Sequence, residues 1–315
     1  MKSRNYNLNL SSRLENVREK LLSQKLDAIL ISNQANRYYL TGWLGDTESG
    51  YLLITKKQAF IITDSRYTEE ASEKVNHFEL REYGRDEKFW EKLFAEIKVK
   101  TIGFESKDLS VFALKNFKKL TKKVKWAITK DFVEELRAQK DQFEISLIKK
   151  SISIADKSFQ FILKNIKVGQ SEREIAWELE KFMRGQGASK NAWEPFIVAT
   201  GPNSSKVHYA AGDRKIKKGD QVLIDWGCVY KGYSCDISRV VFIGAPTTKQ
   251  AEIYNLVLEA QKKGIEQIKV GKPTKNVELA AREFLDSKTK FAFGHAIGHG
   301  VGIDVHELPH VNNKT

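Results

Sequence analysis

The chain has 315 residues, a length that predicts two domains at roughly 100–200 residues each. Hydrophobic residues make up 41% and charged residues 30%, with 5 Pro and 20 Gly, which excludes collagen-like, low-complexity and wholly disordered proteins. The 2 Cys cannot form a disulfide framework, and no apolar run approaches the roughly 18 residues that span a bilayer. We therefore expect no membrane partner. Because the start of the chain lacks the apolar core of a signal peptide, we expect a cytoplasmic location.

The net charge of +13 raises the question of a polyanionic partner. Lysines outnumber arginines by 40 to 13, whereas nucleic-acid recognition favours arginine forks. The densest basic stretch, from Lys115 to Lys125, has the interleaved apolar residues of a helix with a solvated face. A nucleic-acid partner is therefore not expected.

Helical and strand patterns alternate over the first third of the chain, which predicts an α/β domain over residues 1–132. The predicted helices are Ser12–Lys25, Tyr67–Lys74, Lys88–Ile97 and a lysine-rich helix, and the predicted strands are Asp27–Ser32, Tyr51–Thr55, Ala59–Thr63 and Thr101–Phe104.

Helices and antiparallel strands are segregated over residues 133–315, so the fold class predicted for the whole chain is α+β. A long amphipathic helix begins at Asp141, and Ser171 with Glu174 forms the capping box of a second helix. The later predicted elements are strands Phe196–Thr200, Val222–Val229 and Ser234–Ile243, and helices Lys249–Val270 and Lys275–Asp286.

Two aspartates flank a predicted hairpin turn at Lys231–Gly232. If the turn has two residues, strand parity places Asp225 and Asp236 on one face as diagonal neighbours. Converging carboxylates repel each other unless a cation lies between them, and oxygen ligands suit Mn, Co or Zn. The alternative is that one aspartate bonds a turn while the other pairs with Arg239.

By the same parity, Cys228 and Cys235 face each other on the opposite side of the hairpin. We interpret them as buried small hydrophobic residues that remain reduced.

Four of the six histidines lie in the glycine-rich segment FGHAIGHGVGIDVHELPH: His295, His299, His306 and His310. The spacing of the first two resembles a zincin helix, but the glutamate of HExxH is absent and glycines surround them. The segment therefore favours a loop and a strand that bring neutral imidazoles to a metal or substrate.

These motifs together resemble the creatinase, prolidase and aminopeptidase P family of pita-bread metallopeptidases. The resemblance rests on VATGPNSSKVHY, LIDWGCVYKGYSCDISRV and GHAIGHGVGIDVHELP, in that order. It extends to NRYYLTGWLGDTESGYLLIT and FIITDSRYTEEA, which are similar to the amino-terminal domain of Xaa-Pro peptidases. The resemblance implies a creatinase-like α/β domain followed by a pita-bread catalytic domain.

The resemblance also implies roles for individual residues. Two divalent metal ions are expected, with Mn favoured over Co or Zn, and Asp225, Asp236 and His299 match metal ligands. His208, His295 and His306 match active-site histidines that contact the substrate and the tetrahedral intermediate. The implied reaction is hydrolysis of the bond between an amino-terminal residue and proline by a water molecule activated between the metals.

The family pattern includes two further glutamate ligands on strands that follow the histidine-rich segment, and this chain has no match to either. Glu307 matches a position that the family does not use as a ligand, and Glu278 and Glu283 lie in a predicted helix where we expect them to face solvent. We therefore expect a pita-bread domain truncated at its carboxyl terminus, with an incomplete ligand set and impaired turnover.

The main alternative function is a noncatalytic pita-bread module that binds a peptide or protein without metals. The two converging carboxylates argue against that alternative, because without a cation they only repel. A proline-containing peptide is thus the expected partner, and a homodimer is expected by resemblance alone.

Overall fold

The computed structural model describes residues 9–84, 86, 88–290 and 294–312, and the chain divides into two compact units, Met1–Gln139 and Lys140–Thr315. The division lies beyond the predicted boundary at residue 132. The reason is that helix Glu134–Ala138 belongs to the first unit, where the Arg137 guanidinium donates to Asn36 Oδ1 at 2.7 Å. Within the described residues, the helices lack the combined length and apolarity that crossing a membrane requires.

The first unit is built on a six-stranded sheet in the order β4-β3-β2-β1-β5-β6. Its strands are β1 (Ala28–Ile31), β2 (Tyr51–Thr55), β3 (Ala59–Thr63), β4 (Glu79–Glu82), β5 (Thr101–Glu105) and β6 (Lys125–Thr129). Its helices are α1 (Leu10–Ser23), α2 (Gln34–Thr41), α3 (Thr68–Lys74), α4 (Phe89–Ile97), α5 (Val111–Leu120) and α6 (Glu134–Ala138). Strand β2 runs antiparallel to both of its neighbours, and the other neighbouring pairs are parallel.

The predicted strands β2 and β3 are confirmed at the predicted bounds, and α1, α3, α4 and β5 lie within a few residues of theirs. Helix α2 was not predicted, because its 8 residues make only about two turns and its polar side chains Asn36 and Arg37 are buried together with the apolar ones. Its ends are nevertheless regular: the Asn33 side chain accepts from the Asn36 amide, and Gly42 ends the helix with a φ of 72°.

A buried carboxylate lies at the end of β5. The Ser32 and Asn33 amides donate to Glu105 Oε2 at 2.7 and 2.8 Å, and Asn36 Nδ2 donates to Oε1 at 2.5 Å. Burial raises the pKa of Glu105 to about 7 in spite of these hydrogen bonds, and nearby Glu134 adds to the rise.

The raised pKa predicts a pH-dependent stability of the first unit. Because the folded-state pKa lies above the unfolded value, the contribution of Glu105 is full below pH 4.5 and is lost as the pH approaches 7. The loss should reach at most about 3 kcal/mol. Urea unfolding of the protein and of Glu105→Gln at pH 5, 6 and 7 checks this. The free energy of unfolding of the unsubstituted protein should fall relative to that of Glu105→Gln as the pH rises. A difference that stays constant with pH contradicts the prediction.

Among its described residues, the second unit has four α-helices and three small sheets. The strand orders of the sheets are β12-β9-β8, β11-β10-β7 and β13-β14. Its helices are α7 (Gln142–Asn165), α8 (Glu172–Gly185), α9 (Thr248–Glu266) and α10 (Lys275–Lys288). Its strands are β7 (Lys190–Asn191), β8 (Ile197–Thr200), β9 (Gln221–Trp226), β10 (Cys228–Tyr230), β11 (Tyr233–Ser234), β12 (Ile237–Phe242), β13 (Gly298–Gly300) and β14 (Glu307–Val311).

The core of this unit lies between α7, α8 and the strands. Leu179, Met183, Ile224 and Trp226 are fully buried in one apolar cluster. Trp226 also donates from Nε1 to Ser158 Oγ at 3.0 Å, so its polar atom is satisfied inside the core.

Both predicted helix starts are confirmed, although a capping box was predicted only for Ser171 and Glu174. Asp141 caps α7 and Ser171 caps α8, each with the reciprocal glutamate of a capping box.

The two strands predicted around the hairpin are each broken in two. Strands β9 and β12 pair in one sheet, whereas β10 and β11 pair in another. The break coincides with Gly227, where an added Cβ would lie 1.9 Å from the Cys235 carbonyl oxygen. Only glycine permits this close approach of the two backbones.

A buried ion pair fixes the histidine-rich segment within this unit. Lys140 Nζ lies 2.6 Å from Glu307 Oε1, and the two side chains are 13% and 4% exposed. The Asp304 amide donates to Glu307 Oε2 at 3.3 Å. The turn that precedes His306 is therefore tied to Lys140, two residues before the start of α7.

Breaking this pair should be more costly than replacing both partners. Lys140→Met leaves a buried carboxylate without its cation, so the free energy of unfolding should fall by about 3 kcal/mol. The double variant Lys140→Met, Glu307→Leu should recover part of that loss, because no buried charge remains. Chemical denaturation of the three proteins measures both effects, and equal losses in the single and double variants would contradict the prediction.

Candidate metal centre in the second unit

The two aspartates are brought together by the hairpin turn at Lys231–Gly232. Both turn residues have positive φ angles, 46° and 78°, as a type I′ turn requires. Tyr230 faces Tyr233, and further along the ribbon Asp225 faces Ser238. The predicted register is thus confirmed.

Asp225 and Asp236 lie on one face of the ribbon, because the partner of Asp225 is two residues from Asp236. Burial raises the pKa of Asp225, a hydrogen bond from Ser238 Oγ at 2.6 Å opposes the rise, and the charge of Asp236 adds to it. The site therefore holds a carboxylate that is costly to ionise without a nearby cation.

His299 reaches the aspartates from β13. Its Nε2 lies 3.3 Å from Asp236 Oδ2, and its Nδ1 lies 3.0 Å from the Gly300 carbonyl oxygen. Because a carbonyl oxygen only accepts, Nδ1 carries a hydrogen and Nε2 is the atom presented to Asp236. A proton or a metal ion must then lie between Nε2 and the carboxylate. In the metal-free protein the hydrogen bond to Asp236 raises the pKa of His299.

His306 packs against His299, with ring centroids 4.0 Å apart. Burial lowers the pKa of His306, and the neighbouring His299 lowers it further, which favours the neutral imidazole. Ligand atoms of Asp236, His299 and His306 lie within 4.8 Å of one another. One carboxylate oxygen and two imidazole nitrogens form a donor set that suits Mn, Co or Zn, so the residues present fit a divalent metal.

His208 and His295 differ in their relation to this cluster. His208 is exposed, and its charge lowers the pKa of Asp225 and of His306, which places it near both. His295 is also exposed, with Nδ1 2.8 Å from the Ala296 carbonyl oxygen. The group of three potential ligands does not include His295, and its role stays a prediction.

In the described structure, Arg239 does not pair with either aspartate as the alternative prediction required. Arg239 Nη1 donates to the Ser238 carbonyl oxygen at 2.8 Å, while Asp236 pairs with His299.

The prediction for the two cysteines is confirmed. Cys228 and Cys235 are free and buried, and their Sγ atoms lie 3.9 Å apart on the hairpin.

The prediction that Glu278 faces solvent is wrong. Its side chain is buried, and Arg282 Nη2 lies 2.7 Å from its Oε1. Helix α10 packs this face inward, whereas Glu283 is exposed as predicted.

Sequence reasoning missed two glutamates that support the site, Glu307 and Glu172. Glu307 stands beside His306 and pairs with Lys140. Glu172 is fully buried at the start of α8 and accepts hydrogen bonds from the segment that carries His208. For Glu172 the only signal in the sequence is its position next to the capping residue Ser171, which is too common a pattern to reveal such a role.

Comparison with known proteins identifies the family of this chain. Residues 146–315 match the model of metallopeptidase family M24, and residues 13–139 match the creatinase/prolidase N-terminal domain. An Xaa-Pro dipeptidase of Pyrococcus horikoshii is 33% identical over 307 residues, which cover 96% of this chain and 85% of that protein. An uncharacterized peptidase of Bacillus subtilis is 36% identical over 299 residues, covering 94% and 84%.

Solved structures agree with the sequence relatives. An Xaa-Pro dipeptidase from Bacillus anthracis superposes with a TM-score of 0.91 at 35% identity, covering 97% of this chain and 85% of that one. An X-Pro aminopeptidase from Thermotoga maritima gives 0.85 at 34% identity, covering 94% and 85%. The creatinase-like first domain and the pita-bread second domain are therefore confirmed, and the chain belongs to metallopeptidase family M24.

Proposed function

We propose that this peptidase hydrolyses the bond between an amino-terminal residue and proline in a metal-dependent reaction. The observation that carries the proposal is the convergence of Asp236, His299 and His306 beside the half-buried Asp225. The Xaa-Pro dipeptidase and X-Pro aminopeptidase among its relatives support the choice of substrate.

The metal site proposed here consists of Asp225, Asp236 and His299, with Mn²⁺ as the favoured ion and Co²⁺ or Zn²⁺ as alternatives. Asp236 is near both other ligands, since its carboxylate lies 3.3 Å from His299 and its charge raises the pKa of Asp225. Asp236 would therefore be the bridging ligand when two ions bind. The bound ions would supply Lewis-acid polarisation of the scissile carbonyl and a lowered pKa for a water molecule.

The histidines would handle the substrate. His306, which favours the neutral form, can accept or donate a proton at the reacting carbonyl. His208 is exposed beside the cluster and would contact the peptide, and we assign a substrate contact to His295 as well. Proline lacks the amide hydrogen of other residues, so a pocket that fits its ring selects this substrate over ordinary peptides.

We further propose that Glu307 is not a ligand of the bound ions, because its carboxylate is held by Lys140 at 2.6 Å.

Isothermal titration with Mn²⁺ and hydrolysis of Ala-Pro test the proposal together. We expect Mn-dependent cleavage of Ala-Pro, but not of Ala-Ala. Asp236→Asn should weaken Mn²⁺ binding at least roughly tenfold, because it removes a charged ligand.

The matched control is Asp213→Asn, which changes an exposed aspartate paired with Arg173. It should leave Mn²⁺ affinity and hydrolysis unchanged. Peptide binding whose affinity is unchanged by EDTA, with no cleavage of the peptide, would instead favour the noncatalytic module.

A further inference from the structure

We propose that Glu172 is a positioning residue that holds the His208 segment, residues 200–212, against the amino terminus of α8 and so fixes His208 beside the metal centre. This inference rests on the proposed function for the role of His208. Its structural part, the anchoring of the segment, stands on contacts within the second unit.

A single buried carboxylate accepts five hydrogen bonds from the His208 segment. Oε1 of Glu172 accepts from the Thr200 amide at 2.8 Å, from Thr200 Oγ1 at 2.9 Å and from Asn203 Nδ2 at 3.0 Å. Oε2 accepts from Tyr209 Oη at 2.7 Å and from the Gly212 amide at 3.2 Å. Both ends of the segment and two side chains within it therefore meet at one residue.

The donors confirm that the anchor is used as a carboxylate. All five groups can donate at once only to an acceptor with two oxygens, which an ionised glutamate supplies. Burial raises the pKa of Glu172, but the hydrogen bonds outweigh it and lower the pKa overall. The position at the first residue of α8 also favours a negative charge, because the helix dipole is positive there.

Backbone contacts join the same helix end to the exit of the segment. The Glu172 amide donates to the Arg214 carbonyl oxygen at 3.2 Å, and the Arg173 amide donates to the Gly212 carbonyl oxygen at 3.0 Å. Within the segment, Asn203 Nδ2 donates to Tyr209 Oη at 2.9 Å. The residue next to His208 is thus held from two directions.

His208 depends on this anchor because its own surroundings are open. The side chain is exposed, and it follows a short 3₁₀ turn, Gly201–Ser205, rather than a strand or a long helix. Glu172 does not contact the potential metal ligands through these bonds, so its effect on the site passes through Tyr209 and the segment.

Three variants separate this role from general stability. Glu172→Gln keeps the shape of the side chain but points an amide group at donors on one side. Tyr209→Phe removes one of the five hydrogen bonds and leaves the carboxylate in place. Glu174→Gln is the matched control. It changes an exposed glutamate on the same helix whose side chain accepts from the amide of the N-cap residue Ser171 and pairs with Lys215, and glutamine can keep the first of these bonds.

Hydrogen exchange measured by mass spectrometry on the metal-free proteins is the first readout. In Glu172→Gln we expect exchange in residues 200–212 to accelerate by roughly tenfold or more, with α8 and β9 unchanged. Tyr209→Phe should give a smaller acceleration in the same peptides, and Glu174→Gln should give none.

Broadening of histidine imidazole NMR signals by added Mn²⁺ is the second readout. In the unchanged protein, bound Mn²⁺ should broaden the signals of both His208 and His306. Glu172→Gln should keep its Mn²⁺ affinity within about twofold and retain the broadening of His306, but lose several-fold of the broadening at His208.

The positioning role is overturned if Glu172→Gln leaves exchange in residues 200–212 unchanged. It is also overturned if hydrogen exchange in α8 and β9 accelerates as much as in residues 200–212. The same holds if Mn²⁺ affinity falls together with the broadening of the His208 signal, since Glu172 would then act on the whole unit. If the unchanged protein binds no Mn²⁺, the proposed function fails, while the exchange experiment still decides whether Glu172 anchors the segment.

Discussion

The site depends on one local constraint, the two-residue turn at Lys231–Gly232. Positive φ angles at both residues match the twist of a tight hairpin and allow one register of its strands. Every pair outward from the turn follows from that register, up to Asp225 opposite Ser238. A slip by one residue would move Asp225 or Asp236 to the face where the cysteines lie, and the carboxylates would no longer converge.

Buried glutamates hold the segments that surround this hairpin. Glu307 pairs with Lys140 and fixes the turn before His306. Glu172 accepts hydrogen bonds from the segment that carries His208. In the first unit, Glu105 also accepts from the amides of Ser32 and Asn33 after β1, but burial raises its pKa to about 7, so its charged form is less favoured there. A charged acceptor with several donors orders irregular backbone more firmly than neutral side chains do, because charge-assisted hydrogen bonds are stronger. The histidines can therefore lie on glycine-rich and irregular segments without being loosely placed.

Much of this arrangement could be predicted from the sequence, because it depends on local rules. Strand parity predicted that Asp225 and Asp236 share one face, the amphipathic pattern located the start of α7, and a capping box located the start of α8. Other features depend on contacts distant in the chain. Helix α2 buries its polar side chains Asn36 and Arg37, and Glu278 is buried by the packing of α10. The donors to Glu172 lie as far away as Gly212, so no local pattern could have indicated its role.

We propose that the hairpin and the histidine-rich segment together form a cation site. Crystals of the 315-residue protein grown with Mn²⁺ test this in an anomalous difference map from diffraction data recorded on both sides of the manganese edge. We expect the strongest peak within coordination distance of the Asp236 carboxylate and of His299 Nε2, which lie 3.3 Å apart. A strongest peak elsewhere, or no peak in a map where both side chains are well ordered, would contradict it.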